Sequence, residues 1–392
     1  MSEKLTFAQR RHKFALNCTR VYAGALTRLV FGYHGQRLPK MDGPVFMVSN
    51  HNTDIDCVFL GMAAHGLIYF VATETLARMG FAGRFLMYWF DPILHAKGTV
   101  GTATSRAILT RLREGHSVGL FPEGNRSFGG QTCPIPPATG KLAKLAGATL
   151  VTYRFTGGYF TTPRWGRGIR KGRMDGRVMG IYSPETLKAM SAQEVQAAIE
   201  RDLWTDAYQE QAERPTRFRG RAPAEHLESM LFLCPACGKI GSLRSEKDKL
   251  FCACGHTMTF TPYGFLEDES GVQHTITALD EAQREHLARL VSDAGIDALF
   301  SDPVHMRLVE ADHSVTAEGD MHITAYADRL VFGDTELPFP SIEAISIVQR
   351  NQLLVQPAQS RAHYEFTGAA GFSALKYLYL FRIAHPSANG GL

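Results

Sequence analysis

Val45-Phe46-Met47-Val48-Ser49-Asn50-His51-Asn52-Thr53-Asp54-Ile55-Asp56 is the stretch on which the reading of this chain turns. Its first five residues form an almost unbroken apolar run, and a polar segment follows at once. A short apolar run that ends in turn-forming residues reads as a strand buried on both faces. Such a strand belongs in a sheet covered by helices on each side. Three more runs have the same character: residues 68–72 (IYFVA), 117–121 (SVGLF) and 150–155 (LVTYRF). Residues 102–113 carry the period of an amphipathic helix that stops at Gly115. Strands interleaved with helices over residues 1–225 predict an α/β domain on a largely parallel sheet.

The polar half of the opening stretch carries chemistry. Histidine is the usual general base for a hydroxyl near neutral pH, and it needs a partner on its second ring nitrogen. If a helix follows the strand directly, Asp56 lies about one turn beyond His51 and can reach back to it. A second loop, Phe121-Pro122-Glu123-Gly124-Asn125-Arg126-Ser127, follows the apolar run SVGL. Ligand sites of open α/β sheets lie beyond the carboxyl ends of the strands, so the two loops have a reason to meet. Glu123 can accept hydrogen bonds from substrate hydroxyls, and Arg126 can hold a phosphate bidentately. Gly124 permits close backbone approach. Cys57 suggests a Cys–His alternative, but it opens the apolar run CVFLGM and reads as a buried thiol.

The pair NHNTDID and FPEGNRS resembles the glycerolipid acyltransferase family typified by 1-acylglycerol-3-phosphate acyltransferases. That family carries H-x4-D followed by F-P-E-G-T-R-S, and Asn125 here replaces the threonine. Lys97, after the run 92–96, stands where the family has arginine, and Thr152 stands where it has proline. The resemblance covers roughly residues 30–215. It implies acyl transfer from a thioester, acyl-CoA or acyl carrier protein, to a lysophospholipid hydroxyl, chiefly 1-acylglycerol-3-phosphate giving phosphatidic acid. Glycerol-3-phosphate or another lysolipid is the alternative acceptor. The reading from a different class is a non-catalytic lipid-binding adaptor. By the resemblance His51 and Asp56 are catalytic, while Glu123, Gly124, Arg126 and Lys97 bind the acceptor.

Residues 226–270 hold a third motif, Cys234-x2-Cys237 and Cys252-x-Cys254 followed by His256. Four thiolates in two close pairs suit structural zinc, with His256 as a possible substitute ligand. The module resembles a zinc ribbon; a redox dithiol is the competing reading. Its mixed-charge loop does not favour nucleic acid. The linker 271–300 is predicted to hold a helix running to about Asp293, capped by Thr277 with Asp280 completing a capping-box variant. Short alternating runs over 301–392 predict a small antiparallel β domain closed by a helix at 373–383, with a pattern like a pleckstrin-homology (PH) barrel.

The chain has 392 residues, enough for two or three domains. Its longest run without a charged residue, 57–73, is too short and too interrupted to span a bilayer. Basic residues break up any signal-peptide core at the N-terminus, and seven clustered cysteines predict a reduced cytoplasm. Net charge is only +4, but residues 1–40 hold eight Lys/Arg against Glu3 alone. Together with Phe7, Phe14, Val21, Leu29, Phe31 and the aromatic run 85–90, this predicts peripheral docking on an anionic membrane surface at its inner face. A hairpin of six basic residues around 164–177 is predicted to meet phosphate groups.

Overall fold

The computed structural model describes residues 5–73, 76, 80–95 and 102–385, so Lys97 lies outside the described residues. The described residues fall into two compact units, one within 1–162 and 169–218, the other within 163–168 and 219–391.

The first unit opens with α1 (Phe7–Phe31), started by a Thr6–Gln9 capping box and ended by Gly32 at φ 63°. Then follow β1 (Tyr33–Gly35), β2 (Val45–Ser49), α2 (Asp56–Ala63), β3 (Ile68–Thr73), α3 (Gly80–Phe90), β4 (Ile93–His95), α4 (Thr102–Arg113), β5 (Ser117–Leu120), α5 (Ala138–Leu145) and β6 (Thr149–Thr156). A single helical turn, α6 (Gly158–Thr161), leads to β7 (Met174–Tyr182), α7 (Pro184–Ala189), α8 (Ala192–Leu203) and α9 (Ala207–Glu213). The seven strands lie in the order β1-β7-β6-β2-β5-β3-β4. The last five are parallel; β7 runs antiparallel to β6 and carries β1 parallel to itself.

The unbroken apolar strands are explained by two cores. Phe46 and Val48 point to one face, against Ile108, Leu112, Val195 and Ile199. Val45 and Met47 point to the other, against Leu16, Phe59 and Leu60. Alternate residues of one strand therefore both need apolar side chains.

The predicted hairpin at 164–177 does not form. Residues from Met174 onward make a single strand, antiparallel to β6, the strand before it, and parallel to β1, far back in the sequence. Arg164 instead donates to the carbonyl of Ile347 and Arg167 faces Glu225, Arg170 is buried, and Arg173 pairs with Asp175. Phe31, expected at the surface, belongs to the core, while Phe7, Phe14, Val21 and Leu29 are exposed. The run 85–90 lies on α3, where Trp89 meets Phe14 at 6.3 Å and Tyr88 lies under Arg11. Among the described residues no helix is long and apolar enough to cross a membrane.

The second unit holds β8 (Leu243–Glu246), β9 (Lys249–Cys252), β10 (Thr257–Phe260), β11 (Leu266–Asp268) and β12 (Gln273–His274), one antiparallel sheet. After α10 (Ile276–Asp293) come β13 (Phe300–Val309), β14 (Val315–Ala325), β15 (Arg329–Phe332), β16 (Thr335–Pro338), β17 (Ile342–Val348), β18 (Gln352–Pro357) and β19 (His363–Gly368), then α11 (Ala374–Ala384). These seven strands are antiparallel, in the order β16-β15-β14-β13-β19-β18-β17. On α11, Tyr377 donates to Asp302 at 2.6 Å, and Lys376 Nζ lies 2.7 Å from Asp302. The cap of α10 is Thr275, whose hydroxyl accepts from Ala278, and not Thr277. Asp280 faces inward, accepting from Tyr379 and Gln283, so it takes no part in capping.

Candidate active site

β2 and β5 are neighbours in register, Val48 opposite Leu120, so the loops that leave their carboxyl ends emerge side by side. His51 Nδ1 lies 2.9 Å from Asp56 Oδ2. The route is not the helical turn that the spacing suggested. Residues 51–55 are non-helical, and Asp56 is the first residue of α2. Its carboxylate folds back and accepts from Asn52 N at 2.6 Å, Thr53 N at 2.8 Å and Thr53 Oγ1 at 2.5 Å. Asp56 is wholly buried, and this set of donors fixes its position. In the neutral ring, donation from Nδ1 to the carboxylate leaves the lone pair on Nε2. Phe121, one residue beyond β5, stacks on the imidazole at 4.7 Å. Burial first, and then the neighbouring Asp56 charge, push the Cys57 thiol up to about 11, which leaves it a poor nucleophile.

Glu123, expected from the resemblance to bind the acceptor, is held by backbone N–H groups. It is 1% exposed; Oε1 accepts from His51 N at 2.7 Å and Oε2 from Cys133 N at 2.6 Å. Both oxygens are engaged by backbone, so Glu123 ties the His51 loop to its own. Burial raises it to about 8, against the pull of the two N–H donors. A carboxyl raised this way contributes stability that is present below its ordinary value of 4.5 and lost as pH rises through about 8. Glu123→Gln turns an –NH2 toward one of those N–H groups and should cost ~1–3 kcal/mol. Urea unfolding should show that loss and the disappearance of the pH slope. Kinetics should show kcat falling with acceptor KM little changed; a KM rise alone would mean that Glu123 binds substrate.

Arg126 Nε lies 3.1 Å from Asp54 Oδ1, and Nη1 donates to Thr162 O at 3.0 Å. Asp54 is largely exposed while Arg126 is mostly buried, so the pair stands at the rim of the loops. Gly124 has φ 65°, a left-handed conformation, and open space where a Cβ would lie. The structure therefore brings together His51, Asp56, Glu123, Gly124 and Arg126.

One contributor was not read from the sequence, and neither were the contacts of another, Thr152. Asn50 accepts from Phe155 N at 2.7 Å and donates to Phe155 O at 2.9 Å, extending the β2–β6 pairing past the strand end. Its signal was only its position after an apolar strand. Thr152 donates to Asp202 at 2.8 Å in a strand bonded on both sides, where a proline would remove a donor.

In the second unit, Cys234, Cys237, Cys252 and Cys254 bring their sulfurs within 4.8 Å of one another, and His256 does not join them. The pairs Cys234–Cys254 and Cys237–Cys252 are each 3.8 Å apart. Two turns present them: Gly238 N donates to Cys234 O, and Gly255 N to Cys252 O. A sulfur–sulfur edge of about 3.8 Å is that of a tetrahedron with metal–sulfur bonds of about 2.3 Å. The donor set fits zinc.

No curated protein matches the chain. Among solved structures it is similar to the 1-acyl-sn-glycerophosphate (LPA) acyltransferase PlsC from Thermotoga maritima: 15% identity over 51% of this chain and 83% of that one, TM-score 0.42. It is also similar to a structure of the PH and C1 domains of the Vav1 exchange factor: 13% identity over 27% of this chain and 34% of that one, TM-score 0.17. Likenesses this distant leave function to be argued from the site. Residues 30–156, the segment that carries His51, Asp56, Glu123 and Arg126, match the Acyltransferase family.

Proposed function

We propose that this chain transfers a fatty acyl group from acyl-CoA or acyl carrier protein to the hydroxyl of a lysophospholipid, chiefly 1-acylglycerol-3-phosphate, giving phosphatidic acid. The observation that carries the reading is the His51–Asp56 pair at 2.9 Å, held at the end of β2 within the acyltransferase-family segment. His51 Nε2 removes the acceptor's hydroxyl proton while Asp56 orients the ring and balances the imidazolium. The alkoxide oxygen attacks the thioester carbonyl and forms the new C–O bond. The tetrahedral intermediate then breaks its C–S bond, and the leaving thiolate takes the proton back from His51. Acceptor oxygen and donor sulfur exchange the acyl group directly, so no acyl-enzyme is needed.

Arg126 would bind the acceptor phosphate by leaving Asp54, whose exposed carboxylate holds the guanidinium in a ready position. A charge-assisted hydrogen bond is worth ~1.5–3 kcal/mol, so Arg126→Ala should raise KM for the phosphate-bearing acceptor roughly ten- to a hundredfold. The kcat should change little; the same KM for acceptors with and without phosphate would remove Arg126 from this role. Screening a panel of lysolipids and glycerol-3-phosphate against both thioester donors tests the assignment as a whole. No acyl transfer to any of them would sink it.

The four-cysteine cluster is part of the same proposal, as a structural zinc site in a zinc-ribbon-like module. Zinc there would supply folding energy and no step of the reaction. The C-terminal seven-stranded sheet closed by α11 is read as PH-like. The exposed apolar residues of α1 and α3, set among basic residues, support work at the cytoplasmic face of an anionic membrane.

A further inference from the structure

A cavity of about 710 Å³ opens in the first unit beside α1, the end of α2, β1 and β7. Its lining includes Arg20, Arg28, Arg37, Arg177 and His34, and no carboxylate lines it among the described residues. None of the residues gathered around His51 takes part. Arg20, Gly24 and Arg28 stand four apart on α1 and so share one face of the helix.

Arg20 is anchored, donating to the carbonyls of Gly61 at 3.0 Å and Gly66 at 2.7 Å. The side chains of Arg28, Arg37 and Arg177 have no ion pair or hydrogen bond among the described residues. Burial, and then the charge of Arg37, weaken the hold of Arg20 on its proton. Like charges gathered without an acid repel one another and call for an anion.

Gly24 is the second observation. Glycine within a helix is unfavourable relative to alanine, yet among the described residues nothing beyond its own stretch of helix lies within 4 Å of where its Cβ would stand. Packing does not demand a glycine here. Its effect is to leave the floor of the cavity open between two arginines. Along α1, next to this basic face, Phe14, Val21, Tyr22, Leu26 and Leu29 are all more than half exposed. An apolar face beside an arginine-lined cavity has the chemistry of an interface with anionic lipid.

We propose that this cavity is a second anion site, which takes the phosphate of an anionic phospholipid headgroup while the neighbouring face of α1 lies against the acyl chains. The idea rests on the membrane part of the proposed function and not on its chemistry. Its test is run in Arg126→Ala protein, so that the acceptor site is weakened and contributes little. Short-chain phosphatidic acid below its micelle concentration, short-chain phosphatidylcholine and inorganic phosphate are titrated by calorimetry.

Phosphatidic acid should bind, phosphatidylcholine should not, and inorganic phosphate should bind more weakly than the lipid. Arg28→Ser should weaken binding roughly fivefold, and Arg28→Ser/Arg177→Ser about thirtyfold, from ~1 kcal/mol per basic side chain. Gly24→Leu keeps every charge and fills the cavity; it should lose binding by more than tenfold while melting no lower than the parent. Phosphatidic acid binding unchanged in Gly24→Leu, or phosphate binding as tightly as the lipid, would overturn the proposal. Arg37→Ser should raise the melting temperature at low salt by removing repulsion; a lower one would mean that Arg37 is structural and count against the cluster as an anion site. Flotation with anionic and zwitterionic vesicles separates the two ideas. Equal flotation of Gly24→Leu and parent with anionic vesicles would remove the cavity and leave membrane docking standing. Absence of flotation for both, with short-chain lipid still bound, would remove docking and keep the cavity.

Discussion

His51→Ala is expected to lose acyl transfer by a factor of ~10²–10⁴, the range associated with a positioned general base. The fold should hardly change. The loop around His51 is fixed by groups that the substitution leaves in place: its own backbone N–H on Glu123, and the N–H groups of Asn52 and Thr53 on Asp56. What disappears is the imidazole, its contact with Asp56 and its stacking on Phe121. Asp56→Asn supplies the contrast. Asp56 is buried and accepts from four groups, so an amide there would lose acceptors and set its –NH2 against N–H donors. That variant should lose both activity and stability. Labelled acyl-CoA with lysophosphatidic acid gives the rates, and thermal melting gives the fold. A His51→Ala protein as active as the parent would exclude His51 as the base. A parent with no transferase activity would favour the lipid-binding adaptor instead.

The parts of this arrangement that were legible in the sequence share one property: their pattern is local. Four apolar runs were readable as strands because burial on both faces demands apolar residues at every position, as the two cores on either side of β2 confirm. Loops that leave adjacent parallel strands must open at the same edge, so His51 and Glu123 could be expected to meet. The antiparallel C-terminal sheet followed from alternation and turn residues.

What was missed depends on partners far along the chain. Nothing near Met174 says that its strand will pair with β6 and β1, so a basic stretch looked like a hairpin. Glu123 was read as a ligand for substrate hydroxyls from its residue type and the family resemblance; what could not be read is its burial. Its burial depends on two N–H groups, of His51 and Cys133, that only the fold supplies. Thr277 was read as the cap of α10, and only the pairing of β12 with β11 shows that the cap lies two residues earlier, at Thr275.

The second large effect is expected from the cysteine cluster. Cys234→Ser/Cys237→Ser should bind no zinc and should lose much of the stability of the second unit. Zinc in small structural sites is worth ~10–16 kcal/mol of apparent binding free energy, comparable with the whole stability of a typical domain at ~5–15 kcal/mol. The sheet around the cluster is short, with strands of two to four residues in β8 to β12. Its buried apolar side chains are few, chiefly Leu243, Leu250, Met258, Phe260 and Leu266. Strands of that length bury too little surface to offset the entropy of ordering them, so a metal that joined residues 234–237 to 252–254 would supply what the core lacks. Metal analysis of parent and variant, with thermal melts before and after chelation, measures both parts. The parent should carry one zinc per chain and melt lower after chelation; the variant should start where the chelated parent ends. Undiminished zinc in the variant would reject these ligands. A metal-free parent whose four thiols oxidise pairwise to disulfides would identify a redox dithiol, because 3.8 Å contacts suit a tetrahedral cation and also allow sulfurs to approach for exchange.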